Sequence, residues 1–384
     1  LHSEVIFTSC IQTKLRTLSH LMTKPFWMRL GLYLLFPLRL LTALLYGLWI
    51  TLRNLLYDRK LLPIHRLSRP VISIGNLSLG GTGKTPFTLF LIEYFRANGY
   101  KVGYVSRGYR RHTRGPQEVR LDCLHPARLY GDEATQIKLR YPHVPTFVGE
   151  NRFLACQKLL EKYPDTQILL LDDAFQHRRL YRDIDIVVID LAKPAWKDWL
   201  FPLGTLREPL RSYERAHLLI LNHKHAADKK IRIPLRGRPT ARFIYELQDL
   251  WHPQKEPMPV DFLRHKPVLA FCGIARADSF QFAIQSIPAY VVDFLAYPDH
   301  HYYTEGNLSG IRRHFRRLER KLSLKELILL TTEKDFARLY QAPHLHLIDE
   351  LPLYVLRIRM RPLSPEEEMK LKNLITFAPV YGNA

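Results

Sequence analysis

"SLGGTGKTP", Ser78–Pro86, is the stretch on which the fold turns. Before it stands "VISIGN" (71–76), an apolar run that reads as a buried parallel strand. After it, "KTPFTLFLIEYFRANGY" (84–100) reads as a helix that Gly99 stops. A glycine-rich turn ending in Gly-Lys-Thr between a strand and a helix is the form of a phosphate-binding loop. Here Ser78 occupies the first glycine position of the general pattern, while Gly80, Gly81 and Gly83 remain. Glycines at these places let backbone N–H groups along Ser78–Gly83, Thr82 included, approach phosphate oxygens closely. Lys84 would reach the β- and γ-phosphates, and the Thr85 hydroxyl would ligate Mg²⁺. The start of the helix adds its partial positive charge, and Pro86 is tolerated there because a first-turn N–H has no helical partner.

Working outward, "TQILLLDD" (166–173) is a second apolar strand, ending in Asp172 and Asp173. That is the form of a Walker B element, whose acid holds or orients Mg²⁺. "KVGYVS", "TFVG", "DIDIVVID" and "AHLLILN" read as further strands separated by helical segments. This alternation predicts an α/β fold, a P-loop NTPase-type parallel sheet with helices on both faces. The basic, irregular "HKHAADKKIRIPLRGRPT" begins a linker region, placed at 223–258. A second strand–helix set follows, from "PVLAFCGI" to "LPLYVLRIRM". The expected organisation is an N-terminal extension (1–28), an apolar helix (29–57), a P-loop domain (58–222), the linker, and a smaller α/β domain with its tail (259–384).

The N-terminal region has its own character. "LGLYLLFPLRLLTALLYGLWI" (30–50) carries a single charge, Arg39. Its length nearly suits a membrane span, but a charge near mid-bilayer costs about 2.5–3.5 kcal/mol. Arg39, Thr42, Tyr46 and Arg53 fall along one seam of a helix, as expected for a helix lying in the membrane interface. Burial in a soluble core is the alternative. No small-residue cleavage site follows, so a cleavable signal peptide is not expected. The first residue is Leu, and Met22 and Met28 are plausible starts.

Charge and cysteines narrow the partners. Lys plus Arg number 57 against 36 acids, a net charge of +21, which predicts an anionic partner such as anionic lipid or a phosphorylated substrate. The basic residues are scattered and accompany no nucleic-acid-binding signature, so no nucleic acid is expected. The 4 cysteines form no CxxC pair, and neither a disulfide framework nor a metal site is visible. No obligate protein partner is evident.

Three kinds of phosphate chemistry remain to be separated. Partition-type ATPases carry a Lys where this chain has Leu79, and no N-K-x-D marks a guanine site. A P-loop kinase or an ATPase is left. "SLGGTGKTP", "SRGY", "GDEA", "LLLDDAFQHRRL", "DIDIVVID", "PLGTLREP", "PDHHYYT" and "LLTTEKD" occur in that order. In this the chain resembles the tetraacyldisaccharide 4′-kinases, the lipid A 4′-kinases of Gram-negative bacteria, from about residue 25 to residue 340. It departs at Ala174 and Ala134, where that family usually has Gly and Pro.

The resemblance implies transfer of the γ-phosphate of ATP to the 4′-hydroxyl of an acylated glucosamine disaccharide 1-phosphate, giving lipid IVA. It implies a peripheral or monotopic protein on the cytoplasmic face of the inner membrane, meeting an anionic membrane surface. It maps a catalytic dyad onto Asp132 and His300, with Asp132 as base and His300 orienting it. Read from the residues alone, Asp132 is better taken as an acid in a helix's first turn beside Glu133, and His301 competes with His300. Arg107 and Tyr109 resemble residues facing the lipid, Arg207 one that meets a phosphate, and Gln176 and His177 groups behind the Mg²⁺ acids. The alternative is a membrane-associated ATPase switch with a protein partner.

Overall fold

The computed structural model describes residues 26–223, 234–235, 237–321 and 326–375, with side chains from residue 36 onward. The expected extension therefore lies almost wholly outside the described residues.

Strand β1 (Val71–Gly75) leads through the phosphate loop into α1 (Lys84–Ala97). Here Phe87, Leu91 and Phe95 are fully buried, and burying each such side chain is worth about 1.5–3 kcal/mol. The strand is buried along its whole length, so its residues alternate between two covered faces. Ile72 and Ile74 pack on the side of α1. Val71, with Leu169 and Leu171 of β5 (Ile168–Asp172), packs against Ala155 and Leu159 of a helix over Arg152–Lys162 on the other side. That is the two-faced parallel sheet expected from the alternating pattern.

Among the described residues thirteen strands form one sheet. Its first parallel set contains β1, β2 (Val102–Ser106), β4 (Thr146–Val148), β5, β6 (Ile184–Asp190) and β7 (Leu218–Asn222), with the two-residue β3 (Gln117–Glu118) antiparallel on β4 at the edge. The second contains β10 (Pro267–Cys272), β11 (Tyr290–Ala296), β12 (Ile328–Thr332) and β13 (Leu353–Pro362). The 13-residue strand β8 (Thr240–His252) joins them. Its start pairs parallel with β7, and from Phe243 on it pairs antiparallel with β13. The second set is thus inverted relative to the first, and the carboxyl ends of both sets face one gap. Ligands of open α/β sheets gather at such ends.

The linker expectation (223–258) needs correction over its second part, while residues 224–233 and 236 lie outside the described residues. Residues 240–252 form β8, and Lys255–Met258 pairs back onto it as β9. The stretch looked irregular because β8 is only partly buried over much of its length, so it lacks the apolar run of a central strand.

A 33-residue helix, Phe26–Asp58, precedes all of this. Ala43, Ile50, Asn54 and Tyr57 face the body and are buried. Leu41, Leu44, Leu45, Leu48, Trp49 and Leu52 stand exposed. Glu208 is fully buried and anchors the helix, accepting hydrogen bonds from Arg53, Asn54 and Arg215. Tyr46 donates to the Arg207 carbonyl at 2.7 Å. Tyr46 and Arg53 of the expected polar seam do face inward.

Candidate active site

The phosphate loop is formed by short-range geometry. Gly80 and Gly83 hold φ of 107° and 102°, a region open to glycine. A Cβ on Gly83 would come within 2.3 Å of the Asn222 amide nitrogen and 2.6 Å of the Tyr245 hydroxyl. Gly80 and Gly81 meet nothing within 4 Å, which leaves that side of the cradle open. Asn76 braces the turn, donating to the Ser78 carbonyl at 2.6 Å and the Thr82 hydroxyl at 3.2 Å. Asn222 donates to the Thr82 carbonyl at 2.9 Å. The "PLGTLREP" segment runs alongside, its Arg207 N–H bonding the Leu77 carbonyl.

Around this loop the structure gathers several of the expected residues. Lys84 Nζ lies 3.4 Å from Asp173, and Arg207 donates to both Asp173 oxygens at 2.7 and 2.9 Å. Burial opposes the charge on Asp173, but Lys84 and Arg207 hold its carboxyl well below the ordinary range. Asp172 differs. It is 1 % exposed, accepts from the buried Tyr104 hydroxyl at 3.1 Å, and its Oδ1 has no hydrogen-bond partner among the described residues. Burial, with Glu133 and Asp173 near, pushes its carboxyl up to about 7. Thr85 is the second residue of α1. Ala174 is fully buried without a positive φ, which falls on Asp173 instead, at 51°. The alanine therefore fits.

Across the gap, Asp132 opens helix α2 (Asp132–Arg140) after Gly131, whose φ is 93°. A Cβ there would press on Gly108 at 3.1 Å, so the "SRGY" and "GDEA" turns touch backbone to backbone. His300, with φ of 59°, comes from the loop after β11. Its Nδ1 lies 2.9 Å from Asp132 Oδ2, and the Tyr109 ring lies 5.5 Å from its own. Non-glycine residues in this backbone region carry strain that tends to sit at functional sites. His301 points elsewhere: it bonds Asn307 at 3.0 Å and stacks on Tyr297.

Other expected residues are placed differently. Gln176 donates to the Asn76 carbonyl at 2.9 Å, bracing the root of the phosphate loop. His177 is half-buried, and burial together with Arg152 pushes its imidazole down to about 4. Arg107 is exposed at the end of β2, close enough to Arg152 for their charges to oppose.

Three residues escaped the sequence reading. Arg338 and Lys334, on the helix Glu333–Leu339, reach Asp132 at 2.8 and 3.8 Å. Arg152 is 5 % exposed and donates to the Asp173 carbonyl. Nothing local marks an arginine as buried. The nearest signal was "TTEKD", just before Arg338.

The chain's likenesses agree with this geometry. Residues 33–376 match the family described as Tetraacyldisaccharide-1-P 4′-kinase, LpxK. The tetraacyldisaccharide 4′-kinase of Chlorobaculum tepidum is 34 % identical over 313 residues, 79 % of this chain and 86 % of that one. That of Syntrophus aciditrophicus is 35 % identical over 348 residues, 85 % and 89 % of the two chains. The crystal structure of LpxK from Aquifex aeolicus in complex with ATP aligns with a TM-score of 0.72 at 30 % identity, covering 88 % of this chain and 98 % of that one. This chain belongs to the tetraacyldisaccharide 1-phosphate 4′-kinase family.

Proposed function

We propose that the chain transfers the γ-phosphate of ATP to the 4′-hydroxyl of a tetraacyldisaccharide 1-phosphate, with Asp132 and His300 as the proton-accepting pair. The observation that carries the reading is their 2.9 Å contact, made across the gap from a complete Gly-Lys-Thr phosphate loop. A sugar hydroxyl attacks phosphorus readily only when a base takes its proton. Lys84 and the loop N–H groups hold the β- and γ-phosphates and meet the charge that develops on transfer. Arg107 and Tyr109 would face the lipid, and Arg207, held on Asp173 beside Lys84, would meet a phosphate.

The Asp172 oxygen left without a partner fits a cation site. Asp172, Asp173 and Thr85 would hold Mg²⁺, which would offset phosphate charge. In the structure Asp173 pairs instead with Lys84 and Arg207, so metal binding would loosen those contacts.

The exposed leucines of the N-terminal helix, in a chain of net charge +21, fit an anionic leaflet. The cytoplasmic face of the inner membrane is the place that a tetraacyldisaccharide substrate and ATP both reach. Leu44→Ser with Leu48→Ser should weaken sedimentation with anionic vesicles, and unchanged sedimentation would refute this face.

The deciding experiment is transfer of labelled γ-phosphate to purified tetraacyldisaccharide 1-phosphate. ATP turnover that ignores the acylated acceptor would favour the ATPase switch instead.

A further inference from the structure

Beside the N-terminal helix lies a loop that the phosphate chemistry leaves unused, "KDWLFPLG" (197–204). Trp199, at 70 % exposure, is the most exposed large apolar side chain among the described residues, and Phe201 is exposed too. Trp196, three positions earlier, packs instead on the core beside Leu191 and Ala195. Large apolar side chains gathered in water mark an interaction surface.

The loop is held in shape by its own bonds. Asp198 accepts the N–H of Trp199 at 2.8 Å, the N–H of Thr205 at 3.2 Å and the Thr205 hydroxyl, so its charge is turned inward. The Phe201 N–H donates to the Leu206 carbonyl at 2.9 Å, and the Leu206 N–H to the Trp199 carbonyl at 3.0 Å. One flank rests on the N-terminal helix. A methyl on Gly47 would stand 2.9 Å from Leu200 Cδ2, and the Phe201 ring meets Tyr46 edge-on at 6.0 Å. Tyr46 in turn lies 6.2 Å from Trp49, which is exposed on that helix with Leu45 and Leu48. The apolar surface thus runs on from the helix to the loop. The other flank is tied to the phosphate loop: the Leu79 N–H donates to the Thr205 carbonyl at 2.7 Å, and the Arg207 N–H to the Leu77 carbonyl at 2.7 Å.

We propose that the Trp199–Phe201 tip is a second membrane contact, entering the interface of an anionic bilayer beside the helix and fixing how the phosphate loop faces the lipid. The assignment rests on the membrane reading of the helix above and extends it to a separate loop. Continuity with the helix face singles out lipid as the occupant. Charge agrees: Lys193 and Lys197 before the tip and Arg39 on the helix are exposed, as suits anionic headgroups. A tryptophan settles between headgroups and acyl chains, where its ring is buried and its N–H stays wet. A helix lying alone in the interface is free to roll about its axis, and a second contact beside it removes that freedom. The stretch from Trp199 to Thr205 is short and braced, so the roll it fixes is passed directly to Leu79 and the phosphate loop. An acceptor still seated in the leaflet would then meet that loop in one orientation.

The test is quenching of tryptophan emission in the full chain by vesicles of phosphatidylglycerol and phosphatidylcholine carrying brominated acyl chains. The wild-type protein should be quenched. Trp199→Phe and Trp49→Phe should each remove part of the quenched signal, while Trp251→Phe, on β8, should remove none. Trp199→Ser with Phe201→Ser should lower the apparent affinity for unbrominated vesicles of the same composition about tenfold, as two large apolar side chains lose their burial. ATP binding in that variant should match wild type, which checks its fold. Quenching left whole by Trp199→Phe, with the Trp49→Phe loss intact, would overturn the loop contact and spare the helix. Unchanged vesicle affinity in the double serine variant would overturn it too. Failure of the membrane reading looks different: the vesicles would then quench neither the wild-type protein nor any variant.

Discussion

The phosphate loop and the Asp132 cluster face each other across one gap but are assembled in opposite ways. The loop takes its shape from eight consecutive residues, Ser78–Thr85, with Asn76, Asn222 and Gln176 as braces. The Asp132 cluster brings together residues from far along the chain: Asp132 on one half, His300, Lys334 and Arg338 on the other. The loop and these braces all lie on one half of the molecule. A site split between halves exists only while the halves keep their relation. Phosphate holding and proton acceptance should therefore fail separately when varied.

The largest effect belongs to the split site. Asp132→Asn and His300→Ala should each lower kcat by about 10²–10⁴ while ATP binding stays near normal. With the two acting as the proposed pair, the double variant should be little worse than the worse single one. Losses that multiply in the double variant would break the comparison, since the pair would then not be one device.

Next comes the seam between the halves. Arg140 Nη1 reaches both Glu333 oxygens at 2.9 and 3.0 Å, and the two side chains are 5 % and 9 % exposed. Arg140→Met leaves a buried carboxylate unpaired, a loss of about 3–5 kcal/mol. Denaturant unfolding should show it, and the Asp132 cluster should lose function before the phosphate loop loses ATP. A stability within about 0.5 kcal/mol of wild type, the ordinary surface-mutation range, would show that the seam contributes little.

On the local side, Lys84→Ala should cost about 10²–10³ in rate, the usual loss for one preorganised electrostatic contact. Near-normal turnover would remove the loop from the mechanism. The smallest effect is reserved for His301→Ala. Its ring packs on Tyr297 and Tyr303, so about 1 kcal/mol of stability should go, with kcat near wild type. A larger loss of kcat than in His300→Ala would reverse the assignment of the two histidines.

Acid sharpens the contrast. Folding lowers the Asp132 carboxyl, so its ion pairs stabilise the protein fully above about pH 4, the unfolded carboxylate value. That contribution drains as pH falls toward the depressed folded value. Asp132→Asn should flatten the acid limb of stability measured by denaturant titration.

Some of this protein was legible from neighbouring residues alone. Strand, turn and helix around Ser78–Pro86, the acids closing β5 and the apolar N-terminal helix each depend on contacts a few residues apart. Local pattern reports such contacts directly, through periodicity and glycine placement. The pairing of Asp132 with His300 entered only through resemblance, because 168 positions separate them and neither neighbourhood names the other. The tertiary structure alone decided that β8 inverts the second strand set, turning the second part of a supposed linker into the strand that joins both sets in one sheet. It alone placed Arg338 on Asp132, tied Asp173 to Lys84 and Arg207, and turned Gln176 toward the Asn76 carbonyl. Charge and hydrogen-bond partners act through space, and an arginine in sequence looks the same whether water or a buried carboxylate will face it.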